Sequence, residues 1–187
     1  MAGNTTYANF YNSFRNDVRK FGTIEWWIYR NESNSNHFRF IFRDENWDPA
    51  MVLNVDNSNE IYYLKDGFNN SILSSSFQDN KWHHFRLDFE CSDNKYEGLK
   101  RNRFNLYLDN VKIGNNLYMR NEKSNYIGYF EFDSFKASNL RVYLDYVAYS
   151  WDRNYNIGDN QFYNFSIPSN FSYEKVLNYD LYSLFKK

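Results

Sequence analysis

The stretch LRVYLDYVAYSWDRNYNIGDN, residues 140–160, does most to decide the fold of this chain. Its first half alternates in character from residue to residue, which predicts a long β-strand. One face of that strand is predicted to carry Leu140, Val142, Leu144, Tyr146 and Ala148. The second half is rich in Asp and Asn and predicts a polar loop that still contains Trp151 and Tyr155. A long strand that leads into an aromatic loop is expected at the rim of a β-sandwich.

Alternating runs of the same kind, separated by polar turns, fill most of the chain. They cover residues 23–29, 37–43, 51–55, 60–64, 81–91, 103–109, 111–113 and 126–132. Asp109-Asn110 and the segment 56–59 each join two such runs and predict β-hairpins. No helical spacing lies between the runs, so the pattern favours an antiparallel sandwich or barrel. Residues 170–185 are the exception, because their apolar residues recur at helical spacing and predict a short C-terminal helix.

Composition limits both the fold and the partners. The 187 residues fit a single domain over residues 1–187. With 29 Asn but only 7 Gly and 2 Pro, most turns must be made by Asn, which tolerates left-handed backbone. A net charge of −1 without a basic stripe argues against a nucleic-acid partner. No apolar run approaches the ~20 residues of a membrane span, and residues 1–10 do not resemble a signal peptide.

Four segments resemble one known family in their order and spacing. They are FGTIEWWIYR (Phe21–Arg30), KWHHFRLDFEC with the following YEGL (residues 81–99), NLYLDNVKIG (residues 105–114) and the stretch 140–160. The pattern is similar to the laminin-G-like branch of the concanavalin A-like lectin/glucanase superfamily. Within it, the strings are similar to jelly-roll modules of archaeal surface proteins. The Asp-Gly of the family's hairpin is replaced here by Asp109-Asn110, which can adopt the same turn.

The resemblance covers residues 20–160 and carries several expectations. It implies an all-β fold of two antiparallel sheets packed face to face as a jelly roll. It also implies recognition of carbohydrate or protein surfaces, often with calcium, and an extracellular or cell-surface location. A minority of the family hydrolyses glycans.

The acidic residues argue against catalysis. Retaining glucanases of this fold use an E-x-D-x-x-E strand, because two carboxylates about 5–5.5 Å apart are required. The nearest match begins Glu131-x-Asp133, but Lys136 stands where the third acid is needed. His83 and His84 are neighbours on one strand and face opposite sides, so they cannot hold one metal ion together. We therefore predict that the chain is not an enzyme.

Aromatic residues in polar loops are the candidate sugar contacts. Trp47 and Asp48 lie in one such loop, and Trp151, Asp152 and Tyr155 lie in another. Each tryptophan has an alternative interpretation as an anchor that packs its loop onto the core. Trp26 and Trp82 lie within strands and are predicted to be core residues.

Calcium is the one cofactor that the sequence suggests, and none is certain. Calcium prefers six to eight oxygen ligands. The loops 44–48 and 152–160 supply such oxygens, with Asp44, Asp48, Asp152 and Asp159 as candidate ligands. Asp and Asn also form ordinary turns, which is the competing interpretation.

The sequence thus predicts a non-catalytic carbohydrate-binding or adhesion module whose partner is a glycan or a surface protein. The alternative is a protein–protein assembly module, and a glycoside hydrolase is the third hypothesis. Neither the ligand nor the oligomeric state follows from the residues.

Overall fold

The computed structural model describes residues 8–14, 18–31, 37–65, 70–135, 142–153 and 155. The helix predicted over 170–185 and the candidate ligand Asp159 lie outside these residues. The extent of the domain over 1–187 stays a prediction. No helix within the described ranges is long and apolar enough to cross a membrane.

The described chain forms two antiparallel sheets, which confirms the predicted jelly-roll sandwich. Its strands are β1 (Ala8–Ser13), β2 (Phe21–Arg30), β3 (His37–Arg43), β4 (Pro49–Val55), β5 (Ile61–Leu64), β6 (Asn70–Ser74), β7 (Trp82–Glu90), β8 (Arg103–Leu108), β9 (Val111–Tyr118), β10 (Tyr129–Phe135) and β11 (Val142–Tyr149). The six-stranded sheet has the order β1-β10-β3-β4-β5-β6, and the five-stranded sheet has the order β11-β2-β7-β8-β9. Because the chain crosses repeatedly between sheets, each sheet combines strands from distant parts of the sequence.

An aromatic layer fills the space between the sheets. Trp26 is fully buried, as predicted, and stacks on Phe85 of the neighbouring strand with ring centroids 5.3 Å apart. From the opposite sheet, Phe40 and Phe130 approach the same indole at 4.8 and 5.4 Å. Period-two alternation places these rings inside and leaves the intervening residues on the outer faces. The prediction that Trp82 is a core residue is wrong. Trp82 lies half-buried on an outer face, against Tyr29.

Asn residues make many of the turns, as the composition indicates. Of the ten described non-glycine residues with positive φ, five are Asn. Asp109 and Asn110 both have positive φ, 49° and 68°, which is the geometry of the predicted two-residue hairpin. The Asp109 carboxylate also accepts hydrogen bonds from the His84 backbone N–H and from His83 Nδ1, both at 2.9 Å.

Strand β11 departs from the simple alternation predicted for it. Its pairing with β2 shifts between Asp145 and Ala148, and Tyr146 there has φ 47°. This β-bulge exchanges the two faces of the strand beyond that point. Tyr146 is therefore exposed, and Ala148 lies on the outer face beside Glu25, instead of sharing the inner face with Leu144.

Trp151 closes one end of the sandwich. Its ring stacks on Tyr149 at 5.0 Å and meets Phe14 edge-on at 5.3 Å. The ring lies so close to Gly22 that a Cβ at that glycine would be 2.9 Å from Trp151 Cζ3. The loop after β11 is thus fixed to the start of β2 by a contact that only glycine permits.

We expect Gly22→Ala to lower the free energy of unfolding by about 1–3 kcal/mol, because the new methyl group overpacks against Trp151 and Ser150. Chemical denaturation followed by tryptophan fluorescence measures this. Gly128→Ala is the control, since its nearest neighbour would be 3.5 Å away. Equal stability of the two variants would contradict the close packing of Trp151.

The Asp109 turn gives a pH-dependent prediction. Partial burial alone would raise the pKa of Asp109, but hydrogen bonds from His83 and His84 hold it at about 2. The resulting stabilisation is fully present above pH 3.8, which is the ordinary pKa of an aspartate, and it is lost as the pH falls towards about 2. We expect Asp109→Asn, which retains the turn, to cost about 1 kcal/mol at neutral pH, a value reduced by solvent screening.

The difference from the native protein should then disappear in acid, as measured by urea denaturation across the pH range. Asp93→Asn is the control, because the Asp93 side chain is 81% exposed. A cost for Asp109→Asn that does not change with pH would show that the carboxylate charge is not what stabilises the turn.

Candidate functional site

Asp44 fixes the loop between β3 and β4 that carries Trp47. Its buried carboxylate accepts hydrogen bonds at 2.9 Å from the backbone N–H groups of Asn46 and Asp48. The second oxygen accepts from Asn121 Nδ2 and Ser124 Oγ, each at 3.1 Å. Asp44 therefore ties this loop to the segment before β10. Its oxygens are already engaged in holding the protein together.

The loop holds Trp47 on the outer face of the six-stranded sheet. Trp47 adopts left-handed backbone with φ 69°, an uncommon conformation for a bulky residue. Its ring meets Tyr129 edge-on at 4.4 Å and Tyr11 at 5.8 Å. Trp47 stays 44% exposed and Tyr11 58% exposed. We call Tyr11, Trp47 and Tyr129 the aromatic pad.

Charged side chains border the aromatic pad. The Arg43 guanidinium lies 5.0 Å from the Trp47 ring centroid and donates to Glu131 at 2.5 Å. One step along the sheet, Arg39 donates to Asp133 at 2.6 Å. These pairs place guanidinium donors and carboxylate acceptors beside exposed rings, on strands β3 and β10.

The same ion pairs bear on the glycoside hydrolase hypothesis. Glu131 and Asp133 are both nearly buried and each is bound to an arginine. The third position of the motif, Lys136, lies outside the described residues. The described geometry thus assigns the two carboxylates to holding the sheet surface together.

The second candidate loop lies on the other side of the sandwich. Trp151 is packed against the core, and the exposed Asp152 follows it. Tyr155 lies half-buried by the outer face of the five-stranded sheet, where burial and the nearby Glu25 carboxylate raise the pKa of its hydroxyl. The five residues proposed as ligand contacts are therefore divided between two surfaces, and Trp47 is the most exposed of the three aromatic residues among them.

The outer face of the five-stranded sheet carries a buried polar network that the sequence did not reveal. Asp88 is fully buried and accepts hydrogen bonds from Thr23 Oγ1 at 2.6 Å and from Arg86 at 2.8 Å. His84 lies against Trp27 at 4.9 Å, with its Nε2 3.9 Å from Glu25. Burial lowers the pKa of His84 and outweighs the opposing charge of Asp109. Such a network stabilises a surface layer through internal partners.

The predicted calcium ligands are dispersed. Asp44 and Asp48 share one turn, Asp152 lies in the loop after β11, and Asp159 lies outside the described residues. Across the described ranges, no three His, Cys, Asp or Glu side chains are grouped to hold a metal ion. Calcium binding stays a prediction from the resemblance.

Comparison with known proteins identifies the fold as a jelly-roll of the lectin-like kind. A sialidase structure matches with a TM-score of 0.57 and 12% identity over 73% of this chain, which spans only 14% of that protein. A tetrameric galectin from the ball sponge Cinachyrella sp. matches with a TM-score of 0.55 and 10% identity, over 78% of this chain and 100% of the galectin. Identities this low establish the fold alone. No protein-family model and no curated protein sequence matches the chain.

Sequence reasoning found Trp47 but not its partners. Tyr11, Tyr129 and Arg43 belong to three strands that are distant in the sequence. Alternation within β1, β3 and β10 would have placed each of them on an outer face, but not beside the others. Their juxtaposition depends on the register, in which Tyr129 pairs with Arg43 and with Ser13.

We expect Glu131→Gln to reduce stability by about 1–3 kcal/mol, because Arg43 would lose a charged acceptor in a largely desolvated position. Thermal unfolding measures the loss, and Glu97→Gln, at an exposed residue, is the control. If the native protein hydrolyses a glycan and Glu131→Gln loses this activity while remaining as stable as the native protein, Glu131 is instead a catalytic residue.

Proposed function

We propose that the chain is a non-catalytic carbohydrate-binding module that holds a sugar ring on the aromatic pad. The observation that carries this proposal is the position of Trp47. Its ring lies on the outer sheet face, 44% exposed, in a left-handed backbone conformation that is uncommon for a bulky residue. Backbone strain is often retained at functional sites.

The chemistry of the aromatic pad suits a sugar. A pyranose ring has one apolar face, which an exposed indole or phenol ring can cover. Its hydroxyl groups both donate and accept hydrogen bonds, so they match guanidinium donors and carboxylate acceptors. Arg43 supplies the guanidinium donors beside Trp47, and its ion pair with the buried Glu131 already orients them. Little ordering is then required when a ligand binds.

The fold supports the proposal at a coarse level, because the likeness to a galectin is a likeness to a lectin. We propose, from the resemblance of the four sequence segments, that the module belongs to a secreted or cell-surface protein of the laminin-G-like branch and contributes to adhesion there. A surface-protein ligand for the aromatic pad, as in the assembly hypothesis, is the alternative occupant.

The ligand for this test is a neutral oligosaccharide selected on a glycan array. We expect Trp47→Asn to weaken its binding on the order of thirtyfold, which is typical for the loss of a tryptophan that dominates an interface. Asn is chosen because it tolerates left-handed backbone, so that only the ring is lost. Isothermal titration calorimetry measures the affinity.

Tyr146→Asn is the matched control, because Tyr146 is also an exposed aromatic residue with positive φ but lies on β11 of the other sheet. Equal losses in the two variants would contradict a site at Trp47. If the chain binds no glycan on the array but binds a protein ligand through Trp47, the assembly hypothesis replaces the carbohydrate-binding hypothesis.

A further inference from the structure

A cleft of about 420 Å³ opens beside the start of β2, apart from the aromatic pad. Phe21, Tyr96 and Trp151 supply aromatic walls, and Arg19 and Lys20 supply positive charge. The volume falls within the range of about 300–1,000 Å³ that small-molecule sites occupy. This combination of rings and cations is not used by the proposed site at Trp47.

Two cationic side chains lie among the described residues that line the cleft. The Arg19 guanidinium lies 5.4 Å from the Trp151 ring centroid, and the Lys20 ammonium lies 5.5 Å from that of Tyr126. As far as the chain is described, no carboxylate lines the cleft, and Lys20 forms an ion pair with none. The acidic residue at the end of β7, Glu90, is fully buried, and its oxygens accept hydrogen bonds from the backbone N–H groups of Ser92 and Tyr96.

The walls of the cleft are held in place by the fold. Trp151 is wedged against Gly22 and stacked on Tyr149. Tyr96 shares a hydrogen bond of 2.9 Å with Thr23 Oγ1, and its ring lies 5.5 Å from the ring of Phe21. The Lys20 carbonyl accepts from the Cys91 N–H at 2.6 Å, which fixes the backbone beneath the ammonium. A ligand would therefore meet a preformed site.

We propose that this cleft binds a sugar that carries a carboxylate, such as a hexuronate unit of an acidic polysaccharide. The carboxylate would lie against the exposed Lys20 ammonium, where a charge-assisted hydrogen bond can form. The apolar face of the ring would lie against Phe21, which is 40% exposed, and against Trp151. The site is separate from the aromatic pad, so this inference does not rest on sugar binding at Trp47.

The test is calorimetric titration of the full chain with trigalacturonate and with its methyl ester, which has the same rings but no charge. We expect the acid to bind at least about tenfold more tightly than the ester, or about 1.4 kcal/mol. The affinity for the acid should fall as ionic strength rises. Lys20→Glu should remove this preference, whereas Trp47→Asn should leave it intact.

Lys112→Glu is the matched control, because Lys112 is also exposed and lies 5.2 Å from a tyrosine ring, that of Tyr107, but on the far edge strand β9. Equal affinity for acid and ester would overturn the proposal. Failure of the acid to bind at millimolar concentration would do the same, as would equal losses in Lys20→Glu and Lys112→Glu. Loss of neutral-sugar binding alone would count against the aromatic pad and not against the cleft.

Discussion

The stacked aromatic layer around Trp26 is the constraint on which the rest of the structure depends. One indole contacts rings from its own sheet and from the opposite sheet, so it sets both their spacing and their relative position. Loss of a buried tryptophan typically costs about 3–5 kcal/mol, a large part of the stability of a domain this size. Because the interior is occupied by hydrocarbon rings, every charged residue within the strands must be placed on an outer face or at an end of the sandwich.

The two outer faces meet that requirement differently. On the five-stranded sheet, the polar residues are themselves buried and bind one another, with Asp88 held by Thr23 and Arg86. On the six-stranded sheet, the charged residues form arginine–carboxylate ion pairs, and the Trp47 ring beside them stays exposed. In the first arrangement most polar groups are engaged with one another, although His84 Nε2 is buried without a hydrogen-bond partner among the described residues. The second leaves aromatic area and oriented polar groups at the surface, which is why the proposed function rests there.

Local patterning was enough to predict most of the strands, the Asp109-Asn110 hairpin and the burial of Trp26, since each depends on residues close together in sequence, but β1 and β6 were not predicted. The bulge in β11 could not be predicted, because Tyr146 in a left-handed conformation is contrary to its local preference and is imposed by pairing with β2. The partners of Trp47 also escaped prediction, because only the strand order of a finished sheet brings them together. Sequence alone therefore proposed Trp47 as a candidate contact but not the residues that lie around it.

The most direct test of the central claim is a titration of the ¹⁵N-labelled protein, followed by NMR, with the neutral oligosaccharide that binds best on a glycan array. If the aromatic pad binds the sugar, the resonances of the Trp47 indole N–H and of the Tyr11, Tyr129 and Arg43 amides shift together and saturate at the calorimetric affinity. Shifts confined to the outer face of the five-stranded sheet, with the Trp47 resonance unmoved, would contradict sugar binding by the aromatic pad.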